Sequence, residues 1–157
     1  MGASRKAPVM PHTYPLSVHW RGSTGSADYA PDATASAPGK PGIQLSSAPE
    51  FRGDRGRWNP EDLLGAALST CHMLTFLALC AKAKVEVKDY LDRAEAVLDT
   101  VGKVSRVTEV RLRPTIRVAP GTAQATVVAL FEKAHKYCFV ANSVTCHVVL
   151  APRVVEA

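Results

Sequence analysis

The sequence predicts an α+β fold, and three observations carry that reading. A long apolar helix occupies residues 59–83, with well-formed start and stop signals. The best strand pattern in the chain runs over 104–118. The elements come in the order strands, buried helix, strands, helix, strand, which segregates helices and strands instead of alternating them. The 157 residues are the usual size of one domain, assigned here to residues 13–157. Residues 1–12 read as a loose N-terminal tail.

Each element has a local reason. "YPLSVHWRG" (14–22) is rich in strand formers and ends in a glycine turn. From residue 23 to 58 the chain is rich in Gly, Ser, Pro and Ala, with short strand-like pieces near 28–36 and 42–46. The rest is a long loop, "SSAPEFRGDRGRW". A loop of that length inside a domain is often functional. Asn59 is a good helix N-cap, Pro60 suits the first helical position, and Glu61 and Asp62 favour the positive end of the helix dipole. Apolar residues then run nearly all round the helix, which predicts burial on all sides. Lys82 and Lys84 mark its end. Residues 85–99 read as a strand with a bend, and "TVGK" turns the chain. Over 104–118, Val104, Val110, Leu112, Ile116 and Val118 fall on one face. Glu109, Arg111, Arg113 and Arg117 fall on the other, as in a strand with one wet side. "APGT" opens a second helix to about residue 137, and 145–155 closes as a strand.

Composition narrows the function classes. The formal charge of +5 is scattered, and only 6% of residues are aromatic, so no basic surface with interleaved aromatics points to nucleic acid. No run of 18 wholly apolar residues predicts a membrane span, and "MGASRKAPVMPH" lacks the apolar core of a secretory signal. The expected location is cytoplasmic, where four cysteines are free or catalytic thiols and not a disulfide framework.

The cysteines are the chemistry-bearing residues. Cys71 sits mid-helix, either a small core residue or a working thiol whose partners lie elsewhere in the chain. Cys71 and Cys80 lie on roughly opposite helix faces, about 13 Å apart along the axis, so they cannot bridge. A thiol partner for Cys71 is Cys138, Cys146 or nothing. Cys80 and Cys146 read as packing residues. His72 projects about 100° around the helix from Cys71 and is poorly placed as its base. No Cys/His spacing matches a zinc site, and no metal or cofactor is expected.

"NPEDLLGAALSTCHM" resembles the "NPE-x-L…A…C" helix of the OsmC/Ohr family, the osmotically inducible and organic-hydroperoxide-resistance proteins. "VHWRG" is similar to that family's first strand, and "EFRGDRGRWNPE" to the glycine-rich loop before its helix. "EKAHKYCFVANSV" is similar to the segment of its second cysteine, "A-x-x-x-C-P-V-S", with Phe139 where the family has proline. The resemblance runs from about residue 14 to 154. It implies an OsmC-like domain, with antiparallel sheets wrapped around buried central helices in an intertwined homodimer. It also implies a thiol peroxidase that reduces organic hydroperoxides at the expense of a dithiol reductant, without metal or haem. Carried over, Cys71 is the peroxidatic cysteine, Cys138 the resolving cysteine, and Glu61 the carboxylate that orients an activating arginine. Arg21 is the nearest candidate for that arginine, with Arg52, Arg55 or Arg57 as substitutes.

Glu61 precedes Cys71 by ten residues, about 15 Å along a helix. A glutamate cannot span that distance, so a site using both draws them from two subunits. Leu68, Leu74 and Thr75 are expected near Cys71, where they suit an apolar peroxide. The rival reading from another class is a non-catalytic dimeric thiol sensor or small-ligand-binding module of the same fold.

Overall fold

A computed structural model describes residues 11–157. Most of the tail assigned to residues 1–12 therefore lies outside the described residues. The chain divides into two units, one ending at Trp58 and one running from Asn59 to Ala157.

The first unit is built on an antiparallel meander of β1 (Ser17–Trp20), β2 (Ala33–Ser36) and β3 (Ile43–Leu45). The Trp20 indole N–H donates to Ala30 O at 2.9 Å, closing the β1–β2 connection. The following loop is ordered around buried Ser46. Its Oγ donates to Asp32 Oδ1 at 2.8 Å and accepts from Asp54 N at 2.9 Å. Gly53 permits this path, because a Cβ there would lie 1.6 Å from Ser47 O.

The second unit opens with α1 (Pro60–Lys82). Its cap forms as the sequence predicts, and reciprocally. Asn59 Oδ1 accepts from Asp62 N at 2.8 Å, and Asp62 Oδ2 accepts from Asn59 N at 3.3 Å. Burial on all sides does not hold. Gly65, Leu68, His72, Phe76 and Cys80 form one buried stripe, while Leu74 on another face is 58% exposed. The helix is also long and apolar enough, by length and composition, to cross a membrane. This corrects the expectation from the sequence. The same profile belongs to core helices, and the buried stripe here packs against α2 (Gln124–Tyr137) and the strands.

Those strands are β4 (Val87–Asp92), β5 (Glu95–Val101), β6 (Val104–Leu112), β7 (Pro114–Val118), β8 (His147–Leu150) and β9 (Arg153–Glu156). They form two three-stranded sheets, β4-β7-β9 and β5-β6-β8. Both are mixed and not purely antiparallel, since β6 pairs parallel with β8 and β7 with β9. The single strand read over 104–118 is two strands in different sheets. Asp92 makes the break: its Oδ1 accepts from Arg113 N at 2.7 Å, and its Oδ2 accepts from Ser69 Oγ of α1 at 2.6 Å. The predicted alternation survives the break, with Val110, Leu112, Ile116 and Val118 all fully buried. Val104 leaves the pattern and is exposed at the hairpin tip, beside Gly102, whose φ of +68° makes the turn. The polar face carries Arg111 with Glu109, and Arg113 Nη2 on Glu95 Oε2 at 2.7 Å. Exposed pairs of this kind contribute little each.

The core closes where α1 meets α2. Phe131 lies edge-on to Phe76, ring centroids 5.6 Å apart, and tilted on His72 at 4.3 Å. His72 is fully buried, and neither ring nitrogen has a formed hydrogen bond with the described residues. Burial first, and His135 second, push its pKa down to about 4, with the Phe131 backbone opposing. The folded state thus holds His72 neutral, while an unfolded histidine titrates near pH 6.5. Between those values the unfolded chain binds the extra proton. This contribution is complete above about pH 6.5 and is lost as pH falls toward 4. Lowering the pH from about 7.5 to about 5 is expected to cost wild type about 2 kcal/mol more than it costs His72→Leu. Urea midpoints across that range check this; parallel curves for the two proteins exclude it.

Candidate functional site

The exposed face of α1 is itself apolar. Leu63, Ala66, Ala67, Thr70, Cys71, Leu74 and Thr75 recur at three- and four-residue spacing, and with Phe139 they line a groove of about 510 Å³. One helix therefore carries two apolar stripes, one for the core and one for the groove. Cys71 lies on the groove stripe and is half-buried. Leu68, expected beside it, points the other way into the core with no exposure, whereas Leu74 and Thr75 do line the groove.

Cys138 lies behind Cys71. It caps the C-terminal end of α2, is fully buried, and neighbours the Cys71 thiol closely enough for that thiol to affect its ionisation. Burial chiefly pushes the Cys138 pKa up to about 11, and charge on Cys71 adds to this. The backbone N–H groups of Ala141 and Val140 act in the opposite sense, and Ala141 N donates to the sulfur at 3.4 Å. The turn holding this cysteine, "CFVANS", is tied back on itself. Asn142 Nδ2 donates to Cys138 O at 2.9 Å and to Lys136 O at 3.1 Å, and Ser143 Oγ donates to Phe139 O at 2.7 Å. Phe139 is left 83% exposed as a wall of the groove.

The other thiols have different surroundings. Cys80 is buried in the core stripe, which pushes its pKa up to about 11 by desolvation alone. Cys146 is half-buried and packs against the core. Glu61 stands in the first turn of α1, about 15 Å along the axis from Cys71. Its Oε2 is shielded from solvent and has no hydrogen-bond partner among the described residues. Arg21 belongs to the first unit, where it is exposed and its Nε donates to His19 Nε2 at 3.4 Å. Arg57 is engaged within that unit. Its Nη1 donates to Gln44 Oε1 at 2.9 Å, and its Nε lies 3.3 Å from Asp54 Oδ2. Arg52 takes a left-handed φ of 65° after a short 3₁₀ turn. Among the described residues no three His, Cys, Asp or Glu side chains converge as a metal site would require.

Sequence reasoning did not single out Asn142 or the pairing of buried His72 with half-buried His135. The long-range packing of α1 on α2 assigns their surroundings, and no local motif announces it. Phe139 was visible only as a substitution for proline.

The fold and site define an α+β protein with one thiol open to an apolar groove and a second, buried thiol beside it. The chain matches the family of OsmC-like proteins over residues 53–152, and it belongs to that family. It is similar to an OsmC-like protein of unknown function from Vibrio cholerae, at 31% identity and a TM-score of 0.82, covering 90% of this chain and 99% of that one. An organic hydroperoxide resistance protein from Elizabethkingia anophelis shares the fold at 20% identity and a TM-score of 0.67, covering 94% and 100%. One from Legionella pneumophila does so at 21% identity and a TM-score of 0.66, covering 91% and 96%. No curated protein matches the chain.

The proximity of the two thiols makes a specific forecast. One equivalent of diamide should join Cys71 to Cys138 and leave Cys80 and Cys146 reduced, with the circular dichroism unchanged. Peptide mapping reads the pairing, and a Cys71–Cys146 bond would contradict the arrangement.

Proposed function

We propose that the protein is a thiol-dependent peroxidase that reduces organic hydroperoxides. The observation that supports this most directly is the pairing of a half-open thiol, Cys71, with a fully buried one, Cys138, at an apolar groove. Family membership and the hydroperoxide-resistance role named for two structural neighbours support it further.

The exposures divide the roles. Of the pair, only Cys71 can meet a bulky peroxide, so it is the peroxidatic cysteine in this reading. Its thiolate attacks the distal peroxide oxygen and the O–O bond breaks. The alkoxide leaves and takes a proton, and Cys71 becomes a sulfenic acid. Cys138 then attacks the oxidised sulfur, a disulfide forms, and the oxygen departs as water. A dithiol reductant restores both thiols by exchange. The groove takes the organic part of the peroxide, with Leu74, Thr75 and Phe139 against it. No cofactor is needed for these steps.

An arginine beside Cys71 would favour its thiolate and neutralise the leaving oxygen. Arg21 is the candidate in this reading, and Arg52, Arg55 and Arg57 are its substitutes. Arg57 is the least available of them, since Asp54 and Gln44 already hold it. Glu61 orients the arginine, and its unpartnered, shielded Oε2 is the kind of acceptor a guanidinium satisfies. In this reading the working unit is an intertwined homodimer with Glu61 serving the partner's Cys71, which the separation of Glu61 and Cys71 along α1 supports. The reading places the enzyme in the cytoplasm, where thiols stay reduced.

Turnover of cumene hydroperoxide with dithiothreitol tests the assignment. Cys71→Ser is expected to abolish turnover, and Cys138→Ser to accumulate sulfenic or overoxidised Cys71. Cys80→Ser and Cys146→Ser should keep most of it. Turnover retained in Cys71→Ser would rule the mechanism out. A wild type that forms the disulfide but turns over no hydroperoxide would favour a thiol sensor or small-ligand-binding module of the same fold. For the arginine, Arg21→Ala should slow alkylation of Cys71 at neutral pH. An unchanged alkylation profile would move the role to Arg52, Arg55 or Arg57, each tested the same way.

A further inference from the structure

The C-terminal end of α2 lacks the usual device for closing a helix. Its capping residue, Cys138, is extended, with φ −71° and ψ 116°. The carbonyls of a last helical turn need partners from elsewhere. Here one side chain reaches the Lys136 carbonyl of that turn and the carbonyl of the capping residue. The Asn142 carboxamide donates to both Lys136 O and Cys138 O, and the Asn142 backbone N–H donates to Cys138 O at 3.1 Å. Cys138 O therefore accepts two hydrogen bonds from one residue. Cys138 is held at the pivot between α2 and the 3₁₀ turn Ala141–Ser143. The same turn aims Ala141 N at the Cys138 sulfur.

We propose that Asn142 is a positioning residue for disulfide closure, clamping the backbone of Cys138 so that its sulfur stays lined up on Cys71. This rests on the two-cysteine reading above. In the closing step Cys138 thiolate attacks Cys71 Sγ, the new S–S bond forms, and the S–O bond breaks. Hydroxide leaves and is protonated to water, and the organic hydroperoxide of the preceding step is the oxidant. Displacement at sulfur is linear, so a thiol free to swing reaches the required line less often. Phe139, unlike a proline, does not restrict the backbone on the far side of the cysteine. Restraint therefore falls to the Asn142 clamp. A cysteine that closes slowly leaves Cys71 as a sulfenic acid for longer, exposed to a second hydroperoxide and to sulfinic acid.

The test separates closure from the first oxidation. Reduced wild type, Asn142→Ala, Asn142→Asp and Ser143→Ala are mixed with one equivalent of cumene hydroperoxide. Sulfenic acid is trapped with dimedone over time, and the Cys71–Cys138 disulfide is followed by mass spectrometry. Asn142→Asp fills the same volume but presents an acceptor to two carbonyls, so it separates hydrogen-bond donation from space filling. Asn142→Ala and Asn142→Asp should form sulfenic acid at the wild-type rate and close about tenfold more slowly, the scale of one or two lost hydrogen bonds. With excess hydroperoxide, their sulfinic fraction should rise. Ser143→Ala, which leaves both Asn142 contacts intact, should close within about twofold of wild type. Wild-type closure rates in both Asn142 variants would overturn the proposal, as would equal slowing of both steps. Diamide-driven closure in the same four proteins needs no peroxidase activity. A wild type that consumes no hydroperoxide would defeat the functional reading, and the diamide rates would still decide the role of Asn142.

Discussion

Phe131 packs edge-on against Phe76 and tilted against His72, and the geometry of the site follows from that contact between α1 and α2. Seating α2 on the buried stripe of α1 brings the end of α2 to the middle of α1. Cys138 stands at the first and Cys71 at the second. The contact is mostly apolar, so its strength comes from area removed from water, with aromatic pairing adding a smaller increment. Its one polar member, His72, is tolerated as the neutral imidazole. The packing of α1 on α2 therefore also introduces a proton-sensitive element into the core.

Two fully buried cysteines show how much local surroundings matter. Burial raises the pKa of both Cys80 and Cys138 to about 11. Around Cys80 nothing offsets this. Around Cys138 the N–H groups of Ala141 and Val140 work against burial, and a second thiol stands within reach. The two thiols thus share their burial and their raised pKa and differ in their neighbours. The difference comes from a short turn whose amides are ordered by Asn142 and Ser143.

The apolar groove has a comparable origin. A helix with one apolar stripe would have satisfied the core. A second stripe, from Leu63 through Cys71 to Thr75, leaves apolar surface outside the core of this unit. That surface is where a half-open thiol and the exposed Phe139 ring meet. It gives the proposed chemistry a place for the organic part of a peroxide. The lining residues include no charged side chain, which leaves activation of the thiol to a group brought in from elsewhere.

What the sequence determined alone was local. The reciprocal Asn59–Asp62 cap, the glycine turn at 102 and the alternation over 110–118 are short-range matters of hydrogen bonding and side-chain direction, readable from a few consecutive residues. The family motifs around Glu61, Cys71 and Cys138 were legible for the same reason. Tertiary structure decided the rest. The strand read over 104–118 breaks at Arg113 because its N–H meets Asp92, 21 residues earlier. The parallel pairings of β6 with β8 and β7 with β9 join segments separated by α2. Composition marked α1 as apolar but could not say which stripe would meet α2 and which would stay open. Nor could spacing choose Cys138 over Cys146 as the neighbour of Cys71. Both lie beyond the second helix, and only its seating on Phe76 and His72 sets which sulfur comes within reach.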